Sequence, residues 1–113
     1  MDLNWEEFEN MCLNCQKCPL CETRHNVVIG RGSKTADIMF VGEGPGEQED
    51  LTGQPFVGAA GQLLDKMLTA AGLDEKDYYI ANVVKCRPPY NRDPQENEQA
   101  ACINYLRRQF LMV

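Results

Sequence analysis

Apolar residues recur at helical spacing in the first part and in the middle of the chain. Residues 3–14 carry apolar side chains three to four positions apart from Leu3 to Cys12, which predicts a short amphipathic helix that docks on the domain. Residues 59–71 show the same spacing, and Gly72 supplies the expected stop signal just past the end. We expect both helices to pack against the core and not to form a site.

A third helix is predicted in the last segment of the chain. Asp93 as N-cap, Pro94 at the first helical position and Glu96 at capping-box spacing predict where it begins. Its predicted apolar face continues to the end of the chain and consists of Ala100, Ile103, Leu106 and Phe110. Cys102 lies early on this helix, so the helix brings a thiol to the domain.

Two apolar runs predict the strands of a sheet. Residues 36–41 and residues 78–84 are each interpreted as a short buried strand. Because helix 59–71 separates them, they are expected to form a right-handed β-α-β unit with parallel strands. Residues 27–29, followed by a glycine-rich turn, indicate an edge strand. The whole chain is therefore predicted to be one α/β domain, with residues 1–24 as an N-terminal helix and cysteine segment.

A glycine-rich loop follows the first predicted strand. Residues 41–61 contain six of the nine glycines, which lets the backbone approach a ligand closely at the carboxyl end of a strand. Phe56 is the only aromatic residue of this loop and is placed to serve as a stacking platform. An uncharged ring is a better guess for the ligand than a phosphate, because the loop also contains the carboxylates of Glu43, Glu47, Glu49 and Asp50.

Asn82 is predicted to lie beside the glycine loop, since parallel strands joined by a helix open on the same side of the sheet. An amide in an apolar strand needs hydrogen-bonding partners. It either satisfies nearby backbone groups or recognises a ligand, and the sequence leaves both alternatives open. The same reasoning places residues 85–94 next to the loop.

The chain contains six cysteines. Four lie in one run, with two residues between each and the next, as in structural zinc and iron-sulfur sites: Cys12, Cys15, Cys18 and Cys21. Cys86 and Cys102 lie far along the chain, and a metal site built from a close pair and two remote thiolates would join three segments. The alternative is a buried apolar thiol, which we favour for Cys12 and Cys21. His25, the only histidine, is near enough to be a ligand, although a surface or capping role is favoured.

Composition limits the expected cellular location of the protein and the kinds of partner it binds. The 113 residues are 43% hydrophobic, and no apolar run approaches the ~20 residues of a membrane span. The acidic N-terminus lacks the order of a secretion signal, so we expect a cytoplasmic monomer without membrane contact, whose thiols bind metal or act as catalysts. A net charge of −6 argues against coating of nucleic acid. Five cations near the end of the chain could form a local basic patch, although we favour an ordinary solvated surface. They are Lys85, Arg87, Arg92, Arg107 and Arg108.

Five motifs, in order, resemble those of family 4 uracil-DNA glycosylases, the iron-sulfur enzymes of bacteria and archaea. The motifs are Cys-x-x-Cys-Pro-Leu, Val-Gly-Glu-Gly-Pro-Gly followed by Glu-Asp, Gly-Gln-Pro-Phe-Val-Gly-x-Ala-Gly, Asn-Val-Val-Lys-Cys-Arg-Pro-Pro-x-Asn-Arg, and a further cysteine, Cys102, separated by fifteen residues from Cys86 of the fourth motif. The similarity extends over nearly the whole chain but over only about the first half of the usual length of the family.

The resemblance implies an incomplete three-layer α/β/α sandwich of the uracil-DNA glycosylase type. It implies that Phe56 stacks on a flipped-out uracil and that Asn82 hydrogen-bonds the pairing edge of the base and rejects cytosine. The implied activity is hydrolysis of the N-glycosidic bond of uracil in DNA, in base-excision repair. The implied cofactor is a four-iron four-sulfur (4Fe-4S) cluster, held by Cys15, Cys18, Cys86 and Cys102.

The resemblance also implies roles around the sugar and the DNA backbone. Glu43 and Gly44 would border the sugar and the attacking water. Related glycosylases carry an aspartate near the position of Gly44, so here Glu43, Glu47 or Glu49 would order the water; alternatively Glu49 pairs with Asn91 to hold the loop. The cations expected to contact DNA phosphates are Lys85, Arg87 and Arg92.

The second half of the family supplies further strands and a His-Pro motif whose histidine stabilises the departing uracil, and the 113 residues contain no counterpart. A chain that is inactive alone, a gene fragment and a split product are therefore all open, and a missing C-terminal half is an expected partner. A second class of function also stays open: a non-catalytic four-cysteine module that holds zinc or a cluster and binds nucleic acid or a protein.

Overall fold

The computed structural model describes residues 4–113, so the predicted helical residue Leu3 lies outside the described residues. The described chain contains helices α1 (Trp5–Leu13), α2 (Glu47–Thr52), α3 (Ala59–Ala70) and α4 (Glu96–Met112). Its strands are β1 (Arg31–Gly32), β2 (Ile38–Gly42) and β3 (Tyr78–Asn82), and 3₁₀-helical turns span Pro19–Glu22 and Pro89–Asn91. Within this part of the chain, no helix has the length and apolar character needed to cross a membrane.

β3 is the central strand of the three-stranded sheet. β2 pairs with it in parallel and places Gly42 opposite Asn82 at the carboxyl ends. β1 pairs with its other edge in antiparallel orientation and places Arg31 opposite Ile80. Because α2 and α3 connect β2 to β3, the predicted parallel β-α-β core is confirmed.

Helices cover both faces of β3, because successive side chains of a strand point to opposite sides. Tyr78 and Ile80 pack with Leu68 of α3. Tyr79 points the other way, where its ring lies 5.6 Å from that of Trp5 of α1 and its hydroxyl accepts a 3.0 Å hydrogen bond from Gln109 of α4. The implied three-layer α/β/α arrangement is therefore confirmed, in an incomplete form with a small mixed sheet.

The first predicted strand differs from expectation in its burial and in its ends. β2 covers Ile38–Gly42 and not residues 36–41, and it lies at an edge of the sheet. Ile38 is 39% exposed and Val41 is 54% exposed, so the strand is not buried. An apolar run by itself does not distinguish a central strand from an edge strand, because the neighbours that would bury it lie elsewhere in sequence.

The predicted edge strand at residues 27–29 is also wrong. Val27 and Val28 are buried, but the ladder forms later, at Arg31–Gly32. Val28 instead donates one 2.7 Å hydrogen bond to the carbonyl oxygen of Lys85, beyond the end of β3. This bond ties the segment to the core without extending the sheet. The strand predicted at residues 78–84, which is β3, likewise ends at Asn82 and does not reach residue 84.

α4 begins two residues later than predicted and buries a different face. Gln95 is the N-cap, and its backbone N–H donates to Glu98 at 2.8 Å. Phe110, assigned to the buried face, is 71% exposed. The face that is buried consists of Glu98, Cys102, Tyr105 and Gln109. The apolar pattern predicts the wrong face because it places polar residues toward water, whereas Glu98 and Gln109 are buried with hydrogen-bonding partners.

α2 interrupts the predicted glycine loop. Gly46 is its N-cap, and acidic residues occupy the first turn, where they complement the helix dipole. Gly53 ends the helix in the left-handed region, with φ of +77°. These signals are present in the sequence, but the density of glycines favoured an irregular loop.

Candidate functional site

The glycine-rich segment and the end of β3 enclose a pocket. Gly44, Glu49, Phe56, Asn82 and residues 58–61 line it. The structure therefore brings together the two predicted uracil-binding residues, together with two of the three residues predicted to be catalytic. The pocket lies at the carboxyl ends of the parallel strands, where open α/β sheets bind ligands.

Gly42 separates the ring of Phe56 from the amide of Asn82. A Cβ atom added to Gly42 would collide with Oδ1 of Asn82 and with Cζ of Phe56. The ring and the amide thus converge on one point of the backbone at the end of β2. Only glycine leaves the gap between them open.

The side-chain amide of Asn82 opens into the pocket. Asn82 is 3% exposed, and its backbone oxygen accepts a 2.6 Å hydrogen bond from Nζ of Lys85. Within residues 4–113, no protein group hydrogen-bonds to its side-chain amide. Of the two alternatives left by the sequence, recognition of a ligand fits this geometry better than satisfaction of nearby backbone.

Phe56 adopts a left-handed backbone conformation, with φ of +57°. Such a conformation in a bulky residue costs on the order of 1–3 kcal/mol and persists only where the surroundings impose it. Arg31 helps to impose it, since its guanidinium donates to the carbonyl oxygens of Pro55 at 2.9 Å and Phe56 at 3.3 Å. A Cβ on Gly61 would overlap the backbone of Phe56, so α3 packs directly against this turn.

Glu49 holds the segment that carries Phe56. Its carboxylate accepts hydrogen bonds from the backbone N–H groups of Gly46 at 2.9 Å, Val57 at 2.9 Å and Gly58 at 2.6 Å. The alternative pairing of Glu49 with Asn91 is not formed within residues 4–113: the Glu49 carboxylate binds these three amides, and Oδ1 of Asn91 accepts a 2.8 Å bond from Arg87. With its oxygens engaged by three amides, Glu49 is better suited to positioning this loop than to accepting a proton.

Glu43 lies in an adjoining hollow on the other side of Gly44. Residues 43–46, 88 and 91–94 line that hollow, and Gly44 lines both. Glu43 is exposed, and a hydrogen bond and charge repulsion from Asp93 raise the pKa of its carboxyl group. The three residues predicted to be catalytic are thus split between two hollows that meet at Gly44, with Glu47 exposed on α2.

The prediction that Lys85 contacts DNA is wrong for this structure. Lys85 is 1% exposed, and Nζ donates to the backbone oxygen of Asn82 at 2.6 Å and to Gln109 at 2.5 Å. Burial lowers the pKa of Lys85 to about 8, against the opposing charges of Cys102 and Cys12. The side chain points inward because α4 offers a polar partner there, which a run of cations in the sequence does not reveal.

Arg87 and Arg92 remain at the surface but have protein partners. Arg87 is half-buried and bound to Asn91. Arg92 forms two hydrogen bonds with the buried carboxylate of Glu98, at 2.7 and 2.8 Å. The contact of both arginines with phosphates stays a prediction.

All four predicted metal ligands line one cavity, and Cys12 and Cys21 line it as well. Cys15 follows α1, Cys18 precedes the first 3₁₀-helical turn, Cys86 follows β3 and Cys102 lies on α4. All of these thiols are free. Soft thiolates from three segments that meet at one cavity suit zinc or an iron-sulfur cluster. In the described part of the chain, no three cysteine, histidine or carboxylate side chains are placed to hold a single metal ion.

Of the two outer cysteines, Cys12 is buried and Cys21 is half-buried, while His25 binds elsewhere. Burial raises the pKa of Cys12 to about 12, and the residue packs in the core with Phe8 and Leu20, as expected for an apolar thiol. His25 is not among the residues that line the cysteine cavity. Its Nδ1 lies 2.7 Å from Oδ2 of Asp50, which is fully buried and also accepts the backbone N–H of His25.

Sequence reasoning missed three residues that shape the pocket. Arg31 joins the Phe56 turn to Asp65 of α3 at 3.1 Å, a link between distant segments that no local pattern indicates. Gly42 and Gly61 are two of nine glycines, and the sequence does not distinguish them from the others. Only the close approach of their neighbours identifies them.

Residues 29–113 match the uracil DNA glycosylase superfamily. The type-4 uracil-DNA glycosylase of Archaeoglobus fulgidus is 56% identical over 97 residues, which cover 86% of this chain and 49% of the relative. That of Thermotoga maritima is 54% identical over 99 residues, which cover 88% and 52%. The chain spans about half the length of the curated relatives it matches. The resemblance to family 4 is confirmed, and this chain belongs to the uracil DNA glycosylase superfamily.

Proposed function

We propose that this chain forms the uracil-recognition part of a uracil-DNA glycosylase, which hydrolyses the N-glycosidic bond of uracil in DNA during base-excision repair. One observation carries the proposal: the Phe56 ring and the Asn82 amide, which has no partner among residues 4–113, converge across Gly42 in one pocket. A flipped-out base needs a surface for stacking and a polar group for its pairing edge. The names of the relatives, type-4 uracil-DNA glycosylase, support the same substrate.

Asn82 would read the base through hydrogen bonds. Its amide oxygen accepts N3–H of uracil and its amide nitrogen donates to O4, while cytosine presents an acceptor and a donor at those positions. A mismatched base would leave buried polar groups unpaired, which costs about 1–3 kcal/mol for each group. The nearly complete burial of Asn82 supports this role, because discrimination requires that water cannot replace the missing bonds.

Hydrolysis breaks the bond between the sugar and N1 of uracil. The bond electrons leave with the base as an anion, and water adds to the oxocarbenium-like sugar and releases a proton. Glu43 would order the water across Gly44, and the Asp93 contact that raises the Glu43 pKa supports a carboxyl group able to take a proton. Glu49 would contribute by positioning Phe56 through the three amides it binds.

Cys15, Cys18, Cys86 and Cys102 would hold a 4Fe-4S cluster. Such a cluster would serve as a structural clamp between the N-terminal segment, the end of β3 and α4. In a cluster each thiolate binds a different iron atom, so the sulfurs lie further apart than around one ion. Among residues 4–113, the four cysteines share one cavity but are not placed around a single ion, which supports a cluster over zinc.

The proposed partner is uracil-containing DNA, and the proposed compartment is the cytoplasm, where free thiols stay reduced. Arg87 and Arg92 would contact phosphates near the pocket mouth, since residues 91–94 line the adjoining hollow. The proposed oligomeric state is a monomer.

A second polypeptide segment, equivalent to the unmatched half of the relatives, would cover the open surface formed by Met39, Val41, Leu106, Phe110 and Leu111. Val41 is 54% exposed, Phe110 71% and Leu111 78%, and contiguous exposed apolar groups mark interaction sites. β2 also has a free edge within the described sheet. This segment would extend the sheet and supply the group that stabilises the departing base.

The test is a comparison of uracil- and cytosine-containing single-stranded oligonucleotides incubated with the purified chain. Binding is measured by fluorescence anisotropy, and abasic sites by alkaline cleavage. We expect a preference for uracil that Phe56→Ala removes, while Phe110→Ala, the same change outside the pocket, preserves it. Equal binding of both oligonucleotides would contradict the proposal. Binding without uracil preference, with metal bound, would favour the non-catalytic four-cysteine module.

A further inference from the structure

We infer that Arg24 is a positioning residue of the cysteine cavity, which fixes Cys86 relative to Cys15 and stabilises negative charge on the Cys86 sulfur. The inference rests on the proposed metal centre and goes beyond it. It assigns a role to a cation that contacts neither the uracil pocket nor the hollow beside it.

One guanidinium nitrogen of Arg24 joins two of the predicted ligand segments. Nη1 donates to the backbone oxygen of Cys15 at 2.7 Å and to Sγ of Cys86 at 3.2 Å. The backbone of Arg24 is itself held, because its N–H donates to the carbonyl oxygen of Leu20 at 3.1 Å. The guanidinium therefore connects the N-terminal cysteine segment to the chain that leaves β3.

Among the described residues, one other group donates a hydrogen bond to a predicted ligand sulfur. The backbone N–H of Lys85 lies 3.3 Å from Sγ of Cys102. This donor is neutral. Arg24 is different because it brings a permanent positive charge into hydrogen-bonding contact with a sulfur.

The charge of Arg24 has a consequence for a cluster with four thiolate ligands. Hydrogen bonds to the sulfurs and nearby charge help to set the reduction potential of such a cluster. A cation stabilises the reduced state more than the oxidised state, because the reduced state is more negative. Groups that orient metal ligands typically change metal affinity 10–100-fold when they are removed.

The experiment compares Arg24→Met and Arg24→Lys with the wild-type chain after reconstitution with iron and sulfide. Loss of visible absorbance in excess chelator measures iron retention, and a redox titration measures the midpoint potential. We expect the methionine variant to lose iron about tenfold faster and to show a more negative potential. The lysine variant should fall between, since it keeps the charge but cannot bridge both acceptors in the same way.

Arg107→Met is the matched control. Arg107 is exposed on α4 and bonds to Asn104 at 3.3 Å, so its loss removes the same charge without touching the cysteine cavity. Wild-type retention and potential in both Arg24 variants would overturn the inference while the cluster stands. The lysine variant alone decides the question if the methionine variant does not fold. A wild-type chain that binds no iron would instead refute the cluster, and the inference with it.

Discussion

At the scale of single residues, the pocket depends on side chains of other segments that hold Phe56 in place. Glu49 accepts hydrogen bonds from backbone N–H groups next to Phe56. Arg31 donates hydrogen bonds to the carbonyl oxygens of Pro55 and Phe56. The left-handed backbone of Phe56 makes this support necessary. Changes at these supports should therefore be detected as lost base recognition.

Glu49→Gln should loosen this turn. A glutamine offers one acceptor oxygen where three backbone N–H groups now converge, so at least one of them would lose its partner. We expect a loss of about 1–3 kcal/mol in the free energy of unfolding and a weaker preference for uracil. Glu47→Gln, the same change at an exposed position of α2, should leave both unchanged. Equal effects at the two positions would argue against the positioning role of Glu49.

Gly61→Ala should destabilise the chain, although this change usually favours a helix by about 0.5–1 kcal/mol. The added methyl group would overlap the backbone of Phe56, and overpacking typically costs about 1–3 kcal/mol. Urea unfolding measures the change. Thr69→Ala, at an exposed position of α3, should be neutral or slightly stabilising. Stabilisation by Gly61→Ala would contradict this prediction, because it would mean that the Phe56 turn can move away from the added methyl group without cost.

The sequence allows the position of a residue to be predicted where its type contrasts with its neighbours. Phe56 is the one aromatic residue of a glycine-rich loop and Asn82 is an amide in an apolar strand, and both line the pocket. Lys85 could not be placed correctly, because its inward direction depends on Gln109, which follows it by 24 residues. Arg24 was not singled out for a similar reason. Its partner Cys86 is separated from it by 62 positions.

At the scale of elements, α4 shows how buried polar residues set the rotation of a helix. Glu98 and Gln109 face inward, where Arg92 and the carbonyl oxygen of Ile29 satisfy them. The apolar residues on the opposite side, including Phe110, consequently face outward. Helix type and approximate length could be predicted from periodicity, but the orientation required the partners of the polar residues.

The folded chain should lose stability in acid through Glu98 and Asp50. Hydrogen bonds from Arg92 hold the pKa of Glu98 below its usual value, and bonds from the side chain and backbone of His25 lower the pKa of Asp50 against the effect of burial. A lowered folded-state pKa gives stability that is complete above the unfolded-state value, ~4 for these groups. This stability disappears as the pH falls through the folded-state pKa.

Glu98→Gln tests the acid dependence. Urea midpoints at neutral pH and near pH ~3 should differ less in this variant than in the wild type, because one depressed carboxyl group no longer titrates. Glu96→Gln, in the same turn of α4 but exposed, should keep the wild-type difference. An unchanged pH dependence in Glu98→Gln would show that Glu98 does not contribute to it.

At the scale of the whole molecule, the sheet is covered unevenly. β3 is buried along its whole length, whereas β2 exposes Ile38 and Val41 beside the apolar side of α4. The α/β class and the parallel pairing could be predicted from the order of the elements. The exposure of β2 could not, because a sequence of apolar residues looks the same whether or not the surface that buries it is present.

Val41→Glu and Phe110→Glu should weaken binding of a polypeptide that contains the unmatched half of a type-4 relative. Charges on the open surface would have to be desolvated on docking, so we expect the dissociation constant to rise at least about tenfold. Isothermal titration calorimetry measures it. Tyr90→Glu, at a 98% exposed aromatic residue outside the open surface, is the control and should bind as the wild type does. Unaffected binding in the first two variants would exclude this surface as the docking site.

Asn82 and Cys86 lie on one continuous stretch of backbone, with three residues between them. That stretch is tied on both sides, by Lys85 to Gln109 and by Val28 to the carbonyl oxygen of Lys85. An inserted or deleted residue in it would shift the amide relative to the thiol by about 3 Å, roughly the rise of an extended residue. We therefore expect the site to tolerate an exchange of residue type in this stretch better than a change in its length.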